Sequence, residues 1–188
     1  MTTATMSRSM WEVNSRTIVY AAIGAALYAV LGTIINIVIP GSNNVSVRPA
    51  YALVPFFGIA FGPVVGFFTG LIGNMILDQV SGYGAFTAWN WSIANGLAGL
   101  LAGVFAAMMA GKLTTPTARI IGAAGIAALA TAIGFLFVLT DIWVFGNSFE
   151  AAITGSYGFV IVPNMIAAVI VTPLLAAAWE PLKDAIGR

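Results

Sequence analysis

The chain has 188 residues, of which 60% are hydrophobic and 7% are charged, and its 7 basic and 6 acidic residues leave a net charge of +1. A typical soluble domain is about 45–50% apolar and about 25% charged, so this composition, with a mean hydropathy of +1.00, excludes a soluble domain or a disordered chain and predicts a membrane protein. The absence of Cys and His excludes disulfides, thiol or imidazole catalysis and the usual zinc, haem and iron–sulfur sites, and so small a net charge excludes broad electrostatic binding of nucleic acid.

Long uncharged stretches mark the predicted membrane spans. A helix of about 20 residues crosses a hydrocarbon core of about 30 Å. Residues 18–39 form the first such stretch and end at the helix breakers Pro40-Gly41. This stretch is too long for the core of a signal peptide and no suitable cleavage site follows, so we expect a retained first helix. Residues 86–110, 120–140 and 157–179 are similarly long and uncharged.

The apolar region 50–77 is interrupted by Gly62-Pro63 and fits either one kinked helix or two short helices. Lys and Arg concentrate in cytoplasmic loops. Six spans with both termini inside place six basic residues inside and one outside, whereas five spans place two inside and five outside. The sequence therefore predicts an all-α integral membrane protein with six transmembrane helices, cytoplasmic termini and one domain over 1–188. The approximate spans are 18–39, 48–61, 63–80, 86–110, 120–140 and 157–179.

Charged residues are rare between the predicted first and fourth spans. Arg48 and Asp78 map to the outer ends of short helices, and Asp141 and Glu150 map outside beside the fifth helix. Because an unpaired charge at membrane depth is costly, Arg48 and Asp78 should pair with each other, reach water or contact a ligand. The sequence leaves pairing and ligand contact equally open. The Asn- and Ser-rich loop 40–49 is either a hydrophilic turn or a lid over an outward-facing cavity.

Aromatic rings and amides alternate between the third and fourth predicted spans. Tyr83, Trp89 and Trp91 fit an interfacial aromatic belt. Asn90 and Asn95 do not fit a lipid environment, because an unpaired amide in hydrocarbon costs several kcal/mol. Trp91 and Asn95 are four residues apart and share one helix face, which suits stacking and hydrogen bonding to a flat heterocycle. Asn36 and Asn164 also fall within spans, where interhelical hydrogen bonds would account for them.

Small residues recur at a spacing of four, which lets helix backbones approach closely. The pairs are Ala21/Ala25 and Ala22/Ala26 on the first helix, Gly66/Gly70 on the third and Gly99/Gly103 on the fourth. Intramolecular packing explains such pairs, and for the first helix docking of a partner protein is a serious alternative. No phosphate-binding loop, catalytic triad or channel filter is visible. We therefore expect a binding protein without enzyme activity or cofactor, which needs an external energy source for uptake.

Residues 61–74, Asp78, Gly82-Tyr83-Gly84 and 89–99 (Trp-Asn-Trp-Ser-Ile-Ala-Asn-Gly-Leu-Ala-Gly) carry a family resemblance. Over about 18–103 the chain resembles the substrate-binding S components of energy-coupling factor (ECF) transporters, in the riboflavin-type branch that is also similar to cobalamin-specific members. The resemblance implies a vitamin-binding subunit in the plasma membrane that topples to deliver its substrate. It further implies a transmembrane coupling subunit and two cytoplasmic ATPases as partners.

The resemblance implies a site near the outer face under the first loop and a coupling-subunit contact on helix one, at Ala21/Ala25 or Ala22/Ala26. Candidate substrate-binding residues combine a position in the outer half with stacking or hydrogen-bonding ability: Asn43, Asn44, Arg48, Tyr83, Trp89, Asn90, Trp91, Asn95 and Asn164. Riboflavin and cobalamin are both implied as substrates. Two alternatives remain, a stand-alone carrier or facilitator for a small heterocyclic nutrient that uses Asp78 as a proton-coupled group, and a structural membrane subunit.

Overall fold

The computed structural model describes residues 11–40 and 46–185, without the side chains of 184 and 185. The long helices are α1 (Ser15–Ile34), α2 (Leu53–Phe61), α3 (Pro63–Val80), α4 (Trp89–Met109), α5 (Pro116–Gly134) and α8 (Gly158–Ala185), and the short ones are α6 (Asp141–Val144) and α7 (Phe149–Ala151). A 3₁₀ turn over Pro49–Ala52 precedes α2, a second over Phe135–Thr140 joins α5 to α6, and a π-helical segment over Ala152–Tyr157 joins α7 to α8. Two strands, β1 (Ile37–Val38) and β2 (Ser46–Val47), pair antiparallel.

Most of the described chain is helical, which confirms the predicted helical membrane protein. Five helical stretches of the described chain are long and apolar enough to cross a membrane, and Pro49–Phe61 is a shorter apolar helix. The short second helix therefore agrees with the sequence prediction. It ends where Gly62 adopts a φ of 105°, and Pro63 then starts α3 at a position where a missing N–H costs nothing.

Several predicted boundaries differ from the structure: the first helix already begins at Ser15, the last continues to Ala185 instead of ending at residue 179, and three further differences have a clear physical reason. The first helix ends at Ile34 instead of residue 39, because Ile37 and Val38, which favour extended backbone, pair with β2. The fourth helix begins at Trp89, since Gly82 and Gly84 adopt positive φ angles in the turn before it. The fifth begins four residues earlier than predicted, at Pro116, because the hydroxyl of Thr115 accepts a hydrogen bond from the N–H of Ala118 at 3.1 Å and caps it.

Glycines bring α3 and α4 into backbone contact. A Cβ on Gly66 would collide with the carbonyl of Gly99, and a Cβ on Gly99 would collide with the backbone of Gly66. One turn further along, a Cβ on Gly70 would meet the carbonyl of Asn95. The predicted glycine spacing therefore serves close packing of these two helices.

The two alanine pairs of α1 face opposite environments. Ala21 and Ala25 are buried, and the backbone of Ala25 packs against Gly73 of α3. Ala22 and Ala26 are exposed. The structure thus separates two pairs that the sequence left equivalent.

Aromatic rings close one end of the bundle. Phe61 packs against Tyr20 and Trp179, with ring centroids 4.5 Å and 5.0 Å apart. On the helix ends nearby, Glu180 pairs with Arg119 at 2.8 Å and with Lys183 at 2.7 Å. This is the end that the charge distribution predicts to be cytoplasmic, and the polar cavity described next lies at the opposite end.

Candidate functional site

A cavity of about 490 Å³ opens at the end of the bundle where β2, the end of α3 and the start of α4 meet the segment between α5 and α8. The apolar side chains that line the cavity include Phe135, Phe145 and Val160. The polar and aromatic side chains of the wall are Tyr28, Ser46, Arg48, Asn74, Asp78, Tyr83, Thr87, Trp91, Asn95, Asp141, Asn147, Ser156 and Asn164.

The first turns of α4 place an indole and an amide on the same wall. Trp91 is half-buried and Asn95 is buried one turn further along. The Asn95 amide donates to the carbonyl of Trp91 at 2.9 Å, and its oxygen accepts from the Tyr28 hydroxyl at 3.1 Å. Asn95 therefore holds α4 against α1 while it borders the cavity.

Asn74 links α3 to α4 beneath this wall. Its amide donates to a carboxylate oxygen of Asp78 at 2.8 Å and to the hydroxyl of Ser92 at 3.1 Å. Its oxygen accepts a long hydrogen bond of 3.5 Å from Tyr28. Because buried polar groups are costly without partners, this network fixes the rotation of three helices around the cavity floor.

Arg48 and Asp78 lie next to each other in the cavity wall and form a long ion pair. Their closest nitrogen and oxygen atoms lie 3.9 Å apart, and Arg48 Nε also donates to the Asn36 oxygen at 3.4 Å. Both side chains are largely buried, with 14% and 10% exposed. One of the alternatives that the sequence left open, pairing of Arg48 with Asp78, therefore forms, and both side chains line the cavity.

A second carboxylate, Asp141, lies on the other side of the cavity and is 2% exposed. It accepts hydrogen bonds from the Asn90 amide at 2.7 Å, from the Trp91 indole at 3.0 Å and from the Ser156 hydroxyl at 2.6 Å. None of the three ion pairs found among the described residues involves Asp141.

Asn164 has a buried side-chain amide. Within residues 11–40 and 46–185, this amide forms no hydrogen bond with another side chain or with the backbone. It is 6% exposed and borders the cavity from α8, next to Pro163. Such a group is expected to bond to water or a ligand, since an unsatisfied amide is costly in a membrane interior.

The cavity brings together five of the candidate residues, which are Arg48, Tyr83, Trp91, Asn95 and Asn164. Two others lie elsewhere. Trp89 is 44% exposed with its ring 6.5 Å from Phe137, and Asn90 is fully buried behind the wall, against Asp141. Asn43 and Asn44 lie outside the described residues.

Sequence reasoning did not select several residues of the wall. Tyr28 and Asn74 each sit in an otherwise apolar helix, where a buried polar side chain is itself a signal. Asp141 and Ser156 had no comparable signal, because they fall near the ends of predicted spans, where polar residues are ordinary.

Comparison with known proteins gives a consistent family. The family model of the ECF-type riboflavin transporter S component matches residues 12–179. UPF0397 proteins are similar to the chain: one from Streptococcus thermophilus is 42% identical over 90 residues, 48% of either chain. One from Streptococcus pneumoniae is 46% identical over 88 residues, 47% of this chain and 46% of the relative.

A UPF0397 protein from Streptococcus agalactiae is 38% identical over 110 residues, 57% of this chain and 59% of the relative. The chain thus spans about half the length of the curated relatives that it matches. No solved structure matches the chain. Because the family model covers most of the sequence and the helical architecture agrees with it, the chain belongs to the family of ECF-type riboflavin transporter S components.

Proposed function

We propose that the protein captures a vitamin, riboflavin in the first place, in the polar cavity at the outer face of the plasma membrane. Delivery inward would depend on a separate transmembrane coupling subunit and two cytoplasmic ATPases. The observation that carries the proposal is a cavity of about 490 Å³ that combines an indole, several amides and three charged groups. Small-molecule sites are typically concavities of about 300–1,000 Å³ lined mainly by apolar groups with a few placed polar ones.

The size of the cavity favours a flavin over a corrin. A drug-sized heterocycle fits a volume in this range, whereas cobalamin is far larger and would remain mostly outside the wall. Trp91 offers a ring for stacking, and Asn164 offers an amide with no described partner. Cobalamin remains the second candidate substrate. The first loop contributes Ser46 and Arg48 to the cavity wall, and such a loop would suit partial enclosure of a large ligand.

The charges of the wall favour a ligand without negative charge. Among the described residues that line the cavity, there is one cationic side chain, Arg48, and there are two carboxyl groups, Asp78 and Asp141; Arg48 already lies near Asp78. A ligand anion would therefore face uncompensated negative charge in a poorly solvated site. A neutral ring system with N–H and O–H groups would meet acceptors instead.

The direct test is native mass spectrometry and absorbance of the gently purified protein, followed by titration with riboflavin and cobalamin. We expect a flavin signal near one-to-one, or saturable binding of added riboflavin. A protein that binds neither compound would contradict both proposed substrates. Riboflavin uptake into vesicles that lack any ATPase would instead favour a stand-alone carrier, and the absence of any small-molecule ligand would favour a structural subunit.

The exposed alanine pair of α1 is the proposed contact for the coupling subunit. Ala22 and Ala26 form a shallow strip on the exposed side of α1, whereas Ala21 and Ala25 are buried within the protein. A strip of small residues lets a partner helix approach closely.

We expect Ala22→Leu/Ala26→Leu to abolish ATP-driven uptake, because the added side chains would fill the strip, while riboflavin binding by the isolated subunit stays within about twofold of wild type. Uptake and co-purification with the coupling subunit would be measured in parallel. A matched control is Ile166→Leu, on an exposed surface of α8. Retained co-purification of the double variant would contradict the proposed contact.

A further inference from the structure

We infer that Asp141 is a positioning residue of the ligand site, which holds the Trp91 indole in the cavity wall and ties it to the π-helical segment. The inference rests on the proposed function of the cavity and goes beyond it, because the residue acts on the ligand through another side chain. It concerns a carboxylate that takes part in none of the ion pairs within the described part of the chain.

The first argument is how fully neutral donors occupy the carboxylate. One oxygen receives the Asn90 amide at 2.7 Å and the Trp91 indole at 3.0 Å. The other receives the Ser156 hydroxyl at 2.6 Å and lies 3.2 Å from the same indole nitrogen. A carboxylate has about four acceptor sites. Asp141 therefore has little capacity left for a ligand, which favours a positioning role over direct contact.

The second argument is what the donors belong to. Asn90 and Trp91 lie in the first turn of α4, and Ser156 lies in the π-helical segment that leads into α8. Asp141 itself begins α6. One side chain thus joins three separate parts of the wall, and hydrogen bonds to a charged acceptor are stronger than those between neutral groups.

The third argument is the local backbone. The carbonyl of Asp141 accepts from the N–H groups of Phe145 at 3.0 Å and Asn147 at 3.3 Å, around Gly146 with a φ of 69°. Phe145 and Asn147 both line the cavity. π-Helical turns are rare and occur frequently at functional sites, and this one directs Ser156 towards Asp141. Backbone and side chain of Asp141 therefore organise the same wall.

The indole is the group on which this arrangement acts. Trp91 is half-buried and borders the cavity, so its ring needs a fixed orientation to stack on a flat ligand. Its only described hydrogen-bond acceptor within 11–40 and 46–185 is Asp141. Loss of that acceptor frees the ring to rotate, and a ligand would then have to order it on binding.

The test uses the full chain in lipid nanodiscs, labelled with 5-fluorotryptophan. The protein has 5 Trp residues, and Trp91→Phe assigns one of the five fluorine resonances. Without any ligand, we expect Asp141→Asn to shift or broaden the Trp91 resonance. The matched control is Glu150→Gln, which neutralises an exposed carboxylate nine residues further along the chain and should leave that resonance in place.

Riboflavin titrations of the same variants form the second arm. We expect Asp141→Asn to weaken binding by about 10- to 100-fold, the range expected from loss of a hydrogen bond to a charged group. In a protein that already carries Trp91→Phe, Asp141→Asn should lower the affinity for riboflavin by less than about threefold, because the two residues act as one unit. If the double variant loses affinity by the product of the two single losses, the positioning role is overturned. A Trp91 resonance that does not shift or broaden in Asp141→Asn would overturn it as well.

Two further outcomes separate this inference from the proposed function. If wild-type protein binds no flavin, the function fails, while the ligand-free fluorine spectra still decide whether Asp141 positions Trp91. If Asp141→Asn does not fold, as judged by thermal unfolding, Ser156→Ala takes its place, since it removes one donor and leaves the carboxylate. An unchanged Trp91 resonance in Ser156→Ala would then overturn the link to the π-helical segment.

Discussion

Trp91→Ala is expected to weaken riboflavin binding by about 10- to 100-fold, because stacking on an aromatic side chain contributes about 1–3 kcal/mol per ring system. The indole borders the cavity and is held by Asp141 at 3.0 Å, so the substitution removes both the stacking surface and one wall contact. Isothermal titration or quenching of flavin fluorescence measures the change. Thermal unfolding of the ligand-free variant shows whether the protein remains folded.

Trp89→Ala is the matched control for this experiment. Both residues are tryptophans in the first turn of α4, but Trp89 is 44% exposed and packs near Phe137 outside the cavity. We expect it to leave the affinity within about threefold of wild type. A large loss with Trp89→Ala, or none with folded Trp91→Ala and Asn95→Ala, would contradict the site described here.

Gly99→Ala is expected to destabilise the folded protein by at least about 3 kcal/mol, at the upper end of the usual cost of overpacking. The added methyl group would collide with the backbone of Gly66, and backbone atoms cannot rotate away as a flexible side chain can. Because α4 carries the cavity wall, riboflavin binding should fall with the folded fraction. The expected readout is a lower Tm in detergent or nanodiscs.

Gly125→Ala provides the comparison within the same protein. Gly125 lies in α5, and a Cβ built there has no neighbour within 4 Å. Alanine is favoured over glycine in a helix by about 0.5–1 kcal/mol, so this variant should be as stable as wild type or slightly more stable. Equal Tm values for the two variants would refute tight contact between α3 and α4.

The long helices and their approximate limits could be predicted from the sequence because hydrophobic length and helix breakers are local properties. The break at Gly62-Pro63 separates α2 from α3 as expected. The spacing of four between Trp91 and Asn95 also placed both on one wall, since helical periodicity fixes which residues share a face. The end of α1 could not be predicted, because it depends on pairing of β1 with β2 across the first loop.

The arrangement around Asp141 required the tertiary structure. Its partners Asn90 and Trp91 lie about fifty residues away in sequence, and Ser156 approaches through a π-helical turn that composition does not announce. Likewise, Arg48 and Asp78 were recognised as unusual from the sequence, but their distance of 3.9 Å follows from the packing of α3 beside the first loop.

By itself, the sequence determined that this protein is a bundle of apolar helices. It also determined the positions at which small residues recur and the identity of the polar residues that need partners. The tertiary structure decided which surface each helix presents, as with buried Ala21/Ala25 and exposed Ala22/Ala26 on α1. The physical reason is that these helices are apolar on nearly every side. Without a contrast between polar and apolar faces, hydropathy cannot set helix rotation, and close contacts between distant segments set it instead.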